Sequence, residues 1–195
     1  MSVTISLSQV DALIANPSSI TGYSSGSHII ISGAISHTQA SALNGVDATY
    51  IQATISETTV TNLAAISVNN NTRSSLNKFS VVVSDTSATA AELNAVQALT
   101  SVAADFSNVT AIEASSAADI TTLYTGSSTG LGNETISVND STIVSTTLNT
   151  IDGYTTAAVT TTATTISGPV ADTETALGSG GITHAADIAV TVTDT

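Results

Sequence analysis

One phrase is written twice in this chain, and the distance between the copies limits what it can fold into. The stretch "VVVSDTSATAAELNAV" from Val81 returns as "ISVNDSTIVSTTLNTI" from Ile136. Val81-x-Val83-x-Asp85 matches Ile136-x-Val138-x-Asp140, and Leu93-Asn94 matches Leu148-Asn149, both at an offset of 55. The closing "VTVTDT" begins a third copy, with Val190-x-Val192-x-Asp194 in the matching places. Half of that interval is visible too, because Thr89-Ala-Ala-Glu92 and Ser116-Ala-Ala-Asp119 are 27 apart. Both have the form of a helix N-terminal capping box, in which a hydroxyl and a carboxylate three residues apart satisfy each other's backbone N–H. Ser8-Gln-Val-Asp11 is a further candidate. A leucine keeps a similar rhythm at Leu13, Leu43, Leu63, Leu93, Leu123, Leu148 and Leu177.

A unit of about 27 residues is too short to bury its own apolar side and must pack against its neighbours, as repeat architectures do. The expectation is therefore a mainly β repeat solenoid, parallel β-helix-like, with coils of about 27 residues paired into a period of about 54–55 and with short helical turns. Val83, Val138 and Val192 are expected to share one inward column, with Leu93 and Leu148 on the opposite wall. "ATAAELNAV" is the best helical stretch, whereas "IVSTTLNTI" is rich in β-branched residues, so its helix is expected to be short or 3-10-like. The polar stretch "NNNTRSSLNK", Asn69 to Lys78, suggests a division into degenerate N-terminal repeats at 1–72 and clearer repeats at 73–195, which could form one continuous domain. "TGSSTGLGN" and "GSGG" read as loops.

Composition supports extended structure. Ser and Thr make up about a third of the 195 residues, and there are only two Phe, four Tyr and no Trp, so Val, Ile, Leu and Ala must fill the core. β-Branched side chains suit a pleated surface. Fifteen carboxylates face two basic residues, Arg73 and Lys78, for a formal net charge of −13. Such a chain cannot neutralise phosphates, which excludes nucleic acid as a partner and disfavours an anionic membrane surface. Cations, Ca²⁺ above all, are the natural counter-charge. Cys is absent, which removes disulfides and thiolate metal sites. No signal peptide is visible at "MSVTISLSQV", and no apolar run reaches the length of a membrane span.

The chemical candidates are sparse. Asp85, Asp140 and Asp194 occupy equivalent places after an alternating strand and are weak Ca²⁺ candidates; the competing reading is that they close a strand or cap a turn. No EF-hand-type or Gly-rich nonapeptide calcium motif accompanies them. His28, His37 and His184 lack metal-ligand spacing. Asp105, Glu113, Asp119, Asp152, Asp172 and Glu174 are loose candidates for a carbohydrate-active site, which would want aromatic platforms and clustered carboxylates; G-x-S-x-G is missing. A Thr ladder for ice binding is not kept from copy to copy. Four N-x-[ST] sequons, at Asn70, Asn108, Asn133 and Asn139, fit chance in so polar a chain. The expectation is a protein that is not an enzyme and needs no cofactor, Ca²⁺ being the one open possibility.

The phrases "VSDTSATAAELNAV", "ISVNDSTIVSTTLNTIDGYTT", "GPVADTETALGSGGIT" and "VTVTDT" resemble repeats of the very large cell-surface proteins of marine cyanobacteria. The shared marks are Asp-Thr after an alternating strand, a Leu-Asn pair, an "IDG-TT" turn and the near-absence of Lys and Arg. The resemblance covers Val81 to Thr195 well and the first 80 residues poorly. It implies a secreted or cell-surface building block linked with motility, envelope structure or defence. Together these readings lead to a structural or adhesive extracellular repeat module, a stiff acidic spacer that self-associates end to end with copies or adjoining repeats, its protein or glycan partner unknown. The alternative is a Ca²⁺-dependent, adhesin-like binding module, with ice binding and carbohydrate activity behind it.

Overall fold

The computed structural model describes residues 1–67 and 76–193. Among them the strands are β1 (Ser2–Ser6), β2 (Ser27–Ile35), β3 (Ala48–Ile55), β4 (Lys78–Ser80), β5 (Ser87–Thr89), β6 (Ala104–Asp105), β7 (Ala111–Ser115), β8 (Ser128–Thr129), β9 (Thr135–Val138), β10 (Thr142–Val144), β11 (Val159–Thr161), β12 (Thr165–Gly168), β13 (Ile182–Thr183) and β14 (Ala189–Val192). Between them lie seven α-helices: α1 (Val10–Ala15), α2 (His37–Leu43), α3 (Val60–Ala64), α4 (Ala90–Gln97), α5 (Ala117–Thr125), α6 (Ser145–Asp152) and α7 (Val170–Gly178).

Helix and strand each account for 31% of the described residues, so the fold is α/β with several short parallel sheets, not the mainly β solenoid with helical turns that the repeats suggested. The leucine rhythm explains the correction. Each of the seven leucines lies on a different α-helix, and all but the half-buried Leu177 are buried. Of the two readings of the leucine rhythm, a turn or a short helix, the helix holds throughout, and the leucine is its core residue. The β-branched "STTLNTID" forms an eight-residue α-helix, α6, so the short helix is present and the 3-10 alternative is not; Thr150 there bonds its hydroxyl back to the Thr146 carbonyl, as helical threonines do.

The chain divides into two compact units, the first Met1–Ser84 with Ala95–Asp105 and the second Asp85–Asn94 with Phe106–Thr195. The expected boundary near residue 72 falls outside the described residues. In the first unit β1, β2, β3 and β4 form one parallel sheet in chain order. In the second, β13-β11-β9-β7-β5 form a five-stranded sheet and β10-β12-β14 a three-stranded one, again parallel. A parallel connection needs a dozen residues or more and usually carries a helix, which is what each interval contains.

The pairing interval is also shorter than expected. Ala88 pairs with Ile112, Ile112 with Ile136, Ile136 with Val159 and Val159 with Ile182. Each of these steps is shorter than the expected coil, and the distance from Val81 to its echo at Ile136 spans more than two of them. The expected valine column fails for the same reason. Val138 pairs with Ser115 and Thr161, Val192 pairs with Gly168 and is exposed, and the Val83 amide donates to Asp105 O at 2.9 Å. The columns that do form run through neighbouring strands: Ala88, Ile112, Ile136, Val159 and Ile182 are all buried.

The hydroxyl-rich composition has a structural use. Thr49 Oγ1 donates to Gly26 O (2.7 Å) and Thr100 Oγ1 to Phe79 O (2.8 Å) in the first unit. Thr155 Oγ1 donates to Glu134 O (2.7 Å), and Thr110 and Thr164 reach Thr86 O and Ser141 O at 3.1 Å, in the second. Each bond ties one strand–helix interval to the one before it, a role that salt bridges cannot fill in a chain with two basic residues. A neutral hydrogen bond of this kind contributes about 1 kcal/mol net.

Candidate functional site

Carboxylates are the only abundant charged groups, so their placement decides what the molecule can do. Asp140, one of the three Ca²⁺ candidates, spends Oδ2 on the Ala117 amide at 2.6 Å. Ala117 opens α5, and the first amides of a helix have no partner within it, so Asp140 closes the helix of the preceding interval. The same device recurs. Glu57 Oε2 accepts from the His37 amide at the start of α2 (2.8 Å), and Ser115 Oγ accepts from the Ala90 amide at the start of α4 (2.8 Å). Asp85 is half-buried just before β5. Asp194 lies outside the described residues.

The remaining acidic candidates do not converge. Glu113 accepts from Ser87 Oγ at 2.6 Å, Asp119 from its own helix cap Ser116 at 2.7 Å, and Asp152 from Ser179 Oγ at 2.9 Å. Asp172 offers its backbone carbonyl to Asn149, Asp105 exchanges backbone bonds with Val81 and Val83, and Glu174 is exposed. The histidines are equally scattered: His28 stacks on Tyr50 (centroids 4.4 Å apart), His37 Nδ1 lies 3.4 Å from Glu57, and His184 Nδ1 sits 2.9 Å from Ala185 O. Among the described residues no three His, Asp or Glu side chains gather as a metal-binding group.

The sequence reading missed Glu134, the one deeply buried carboxylate among the described residues, which is 1% exposed. Both its oxygens are taken up by the Gly132 amide (3.1 and 2.9 Å), one also by the Asn133 amide (2.9 Å) and one by the Tyr124 hydroxyl. Tyr124 in turn stacks on Tyr154, with ring centroids 4.6 Å apart. The signal was in "GLGNE": a glycine pair leaves backbone N–H groups free to converge on the carboxylate that follows. Every one of these bonds to Glu134 comes from the protein itself, so this group pins the loop ahead of β9.

Two surface features remain. On the solvent face of the first unit's sheet, Lys78 Nζ lies 4.3 Å over the Tyr50 ring that also carries His28, beside a shallow depression of about 260 Å³ lined by Gln52, Thr54, Lys78, Ser80 and Val102. In the second unit, Ile143, Ile166 and Val190 occupy one register across β10, β12 and β14. Their exposures are 2%, 0% and 47%, and Val192, next but one along the strand, is 51% exposed. A buried column thus ends in uncovered valines at the edge of a sheet.

No protein-family model matches this chain, and neither a characterised protein nor a solved structure does. Among the described residues no helix is long and apolar enough to cross a membrane.

Proposed function

We propose that this chain is a structural and adhesive module of a secreted or cell-surface assembly, acidic on the outside and joined to further copies of itself. The observation that carries the reading is the open apolar edge at Val190 and Val192. Exposed strand edges are ready templates for pairing with another chain, and proteins that stay single blunt them with charge, Pro or short length. Here the strand reads Ala-Val-Thr-Val, with no charge and no Pro. The carboxylates support the same reading. They cap helices and anchor loops, and the others face solvent, where a net charge of −13 keeps the molecule dispersed. The resemblance to giant surface-protein repeats agrees with a place outside the cell.

The test is association as a function of concentration and salt. Sedimentation velocity from micromolar to millimolar protein should show a single species at low salt and concentration-dependent growth at high salt, where the repulsion between acidic copies is screened. A monomer under all these conditions overturns the reading. Adding Ca²⁺ and then chelator should leave the unfolding temperature unchanged; a rise of several degrees with the ion would instead favour the calcium-dependent module, because a ligand that binds only the folded state stabilises it.

A further inference from the structure

We infer that Tyr124 and Tyr154 form an oxidative cross-linking site, in which Glu134 takes the phenolic proton of Tyr124 and the two rings couple into a dityrosine that staples α5 to the loop after α6. The sequence already narrows where an oxidant can act. Cys is absent and Met1 is the one methionine, so sulfur offers a single site of oxidation. With no Trp either, the four Tyr are the chief electron donors of the chain. All four are half-buried, so access does not choose among them. Their surroundings do.

In the first unit the Lys78 ammonium lies 4.3 Å from the centre of the Tyr50 ring. Removing an electron from that ring places a second positive charge beside the first, which Coulomb repulsion opposes. Tyr23 donates its hydroxyl to Asp47 O at 2.7 Å, and a peptide carbonyl accepts a hydrogen bond without being a base that can take the proton. In the second unit Tyr124 donates to the Glu134 carboxylate, a base already within hydrogen-bond reach. The Gly132 and Asn133 amides hold that carboxylate at 2.9 Å each to Oε2, and its burial shields it from water. The Tyr154 ring lies against Tyr124 with 4° between their planes and 4.6 Å between centroids. A radical formed on Tyr124 therefore already faces its coupling partner.

The chemistry balances with two equivalents of a diffusible one-electron oxidant. Each phenol gives up one electron and its hydroxyl proton, Tyr124 to Glu134 and Tyr154 to water. A carbon–carbon bond then forms between the ring positions next to the two hydroxyls. Each of those carbons releases its hydrogen as a proton while its phenolic oxygen regains one, so the pair loses two hydrogens in all. Tyr124 stands near the end of α5 and Tyr154 directly follows Gly153, the cap of α6. The bond thus ties one strand–helix interval to the next, a covalent staple in a chain that cannot form disulfides. It lies within one copy and does not depend on association between copies.

The test oxidises the whole chain at micromolar concentration with tris(bipyridine)ruthenium(III), generated by light and persulfate, and maps the product by peptide mass spectrometry. The expected product is a monomer lighter by two hydrogens, with dityrosine fluorescence and its cross-link between Tyr124 and Tyr154. Its unfolding temperature should rise by about 5 °C or more, because the bond restricts the unfolded chain as a disulfide does. Tyr154→Phe should abolish the cross-link with an unchanged circular dichroism spectrum, whereas Y23F and Y50F should leave it intact. Glu134→Gln keeps an acceptor for the Gly132 and Asn133 amides and should slow coupling about tenfold or more. In the wild type Tyr124 should be consumed ahead of Tyr23 and Tyr50, a comparison that holds whether or not E134Q folds. No coupling, a cross-link through Tyr23 or Tyr50, products between molecules only, or consumption of all four Tyr at one rate overturns the site. A folded E134Q that couples as fast as the wild type removes Glu134 from it, and a cross-linked monomer no more stable than its precursor overturns the staple.

Discussion

The two units use the same devices with different regularity. In the second, the paired strands return at a nearly constant interval, from Ala88 through Ile112, Ile136 and Val159 to Ile182, and the sequence visibly repeats. In the first, Val3 pairs with Ile29, Ile29 with Ile51 and Ala53 with Phe79, and the middle step is shorter than the two around it. Two register shifts interrupt the β2–β3 ladder, one after Ser27 and one between Ile30 and Ala34. A bulge lets a strand absorb extra residues while its inward face continues. Ile29, Ile31, Ile35, Ile51 and Ile55 are accordingly all buried. Continuity of the inward face, not of the spacing, is what both units share.

The largest expected effect separates a turn that the second unit cannot relax from one that the first can. Gly130 has φ +88°, and a Cβ there would fall on the backbone nitrogen and Cα of Ser107, which have nowhere to go. Gly33, in the β2 bulge, has φ +120°, but its Cβ would meet nothing closer than Leu7 Cβ at 3.5 Å. Gly130→Ala should cost about 3 kcal/mol or more, because backbone strain and a collision add. Gly33→Ala should cost about 1–2 kcal/mol from strain alone. Urea denaturation followed by residue-resolved hydrogen exchange checks both. Equal losses would mean that the bulge is as rigid as the turn and would remove the contrast between the units.

A smaller contrast lies in the Leu-Asn pairs. In the second unit Asn94 and Asn149 each donate Nδ2 to a first-turn carbonyl of another helix, Asp119 O and Asp172 O, both at 2.9 Å. Their buried Oδ1 atoms have no hydrogen-bond partner. In the first unit Asn44 follows Leu43 in the same way and donates to Ser67 O, but its Oδ1 also accepts from Asn77 Nδ2 at 3.2 Å, and Asn77 Oδ1 accepts from the Ile51 amide at 2.9 Å. Removing Asn149 frees one carbonyl and also removes an amide oxygen already costly to bury, so Asn149→Ala should lose about 1 kcal/mol. Asn44→Ala breaks into a network and should lose about 2 kcal/mol, since the groups left behind are buried. Thermal unfolding ranks them; the reverse order would show that the network in the first unit adds nothing beyond single bonds.

These pairs also mark what the sequence could reveal. Thr89 with Glu92 and Ser116 with Asp119 form the expected caps, because a capping box is local and its spacing is its geometry. Near the start the box is Ser6 with Gln9, not Ser8 with Asp11, and Ser36 with Gln39 forms one that was not anticipated. The leucines are legible as a rhythm, and as a helix at Leu93, but elsewhere a period alone does not distinguish a turn from two turns of helix. The caps from Glu57, Ser115 and Asp140 were illegible for a different reason. Each closes a helix that starts well before it in the chain, at His37, Ala90 and Ala117, and no local pattern links a strand-end side chain to an amide that only the pairing register brings near. The same register makes Val190 the end of a column; in sequence it is one more valine in an alternating strand.

The smallest effect distinguishes a carboxylate that caps its own helix from one that caps a neighbour's. Glu92 in the second unit sits below the ordinary glutamate value of 4.5 because the Thr89 side chain and amide donate to it, against a small opposing effect of burial. Glu57 in the first unit is also lowered: burial acts to raise it, but bonds from Ser56, from the His37 amide and from its own backbone outweigh that. A carboxyl whose folded value lies below its unfolded one adds stability that is complete above about pH 4.5 and is lost as pH falls through the folded value. The contributions of Glu57 and Glu92 should therefore be lost only in acid below that point. Glu92→Gln keeps an acceptor oxygen for Thr89 and should remove the share of the acid sensitivity that Glu92 contributes, with little change at neutral pH. The two carboxylates differ in one neighbour, the His37 imidazole 3.4 Å from Glu57. Carboxyl-carbon NMR titration should accordingly show the Glu57 curve moving when His37 is replaced by Ala and the Glu92 curve staying where it is. If neither curve moves, the imidazole is a bystander, and the two caps, one within a helix and one between intervals, are electrostatically the same.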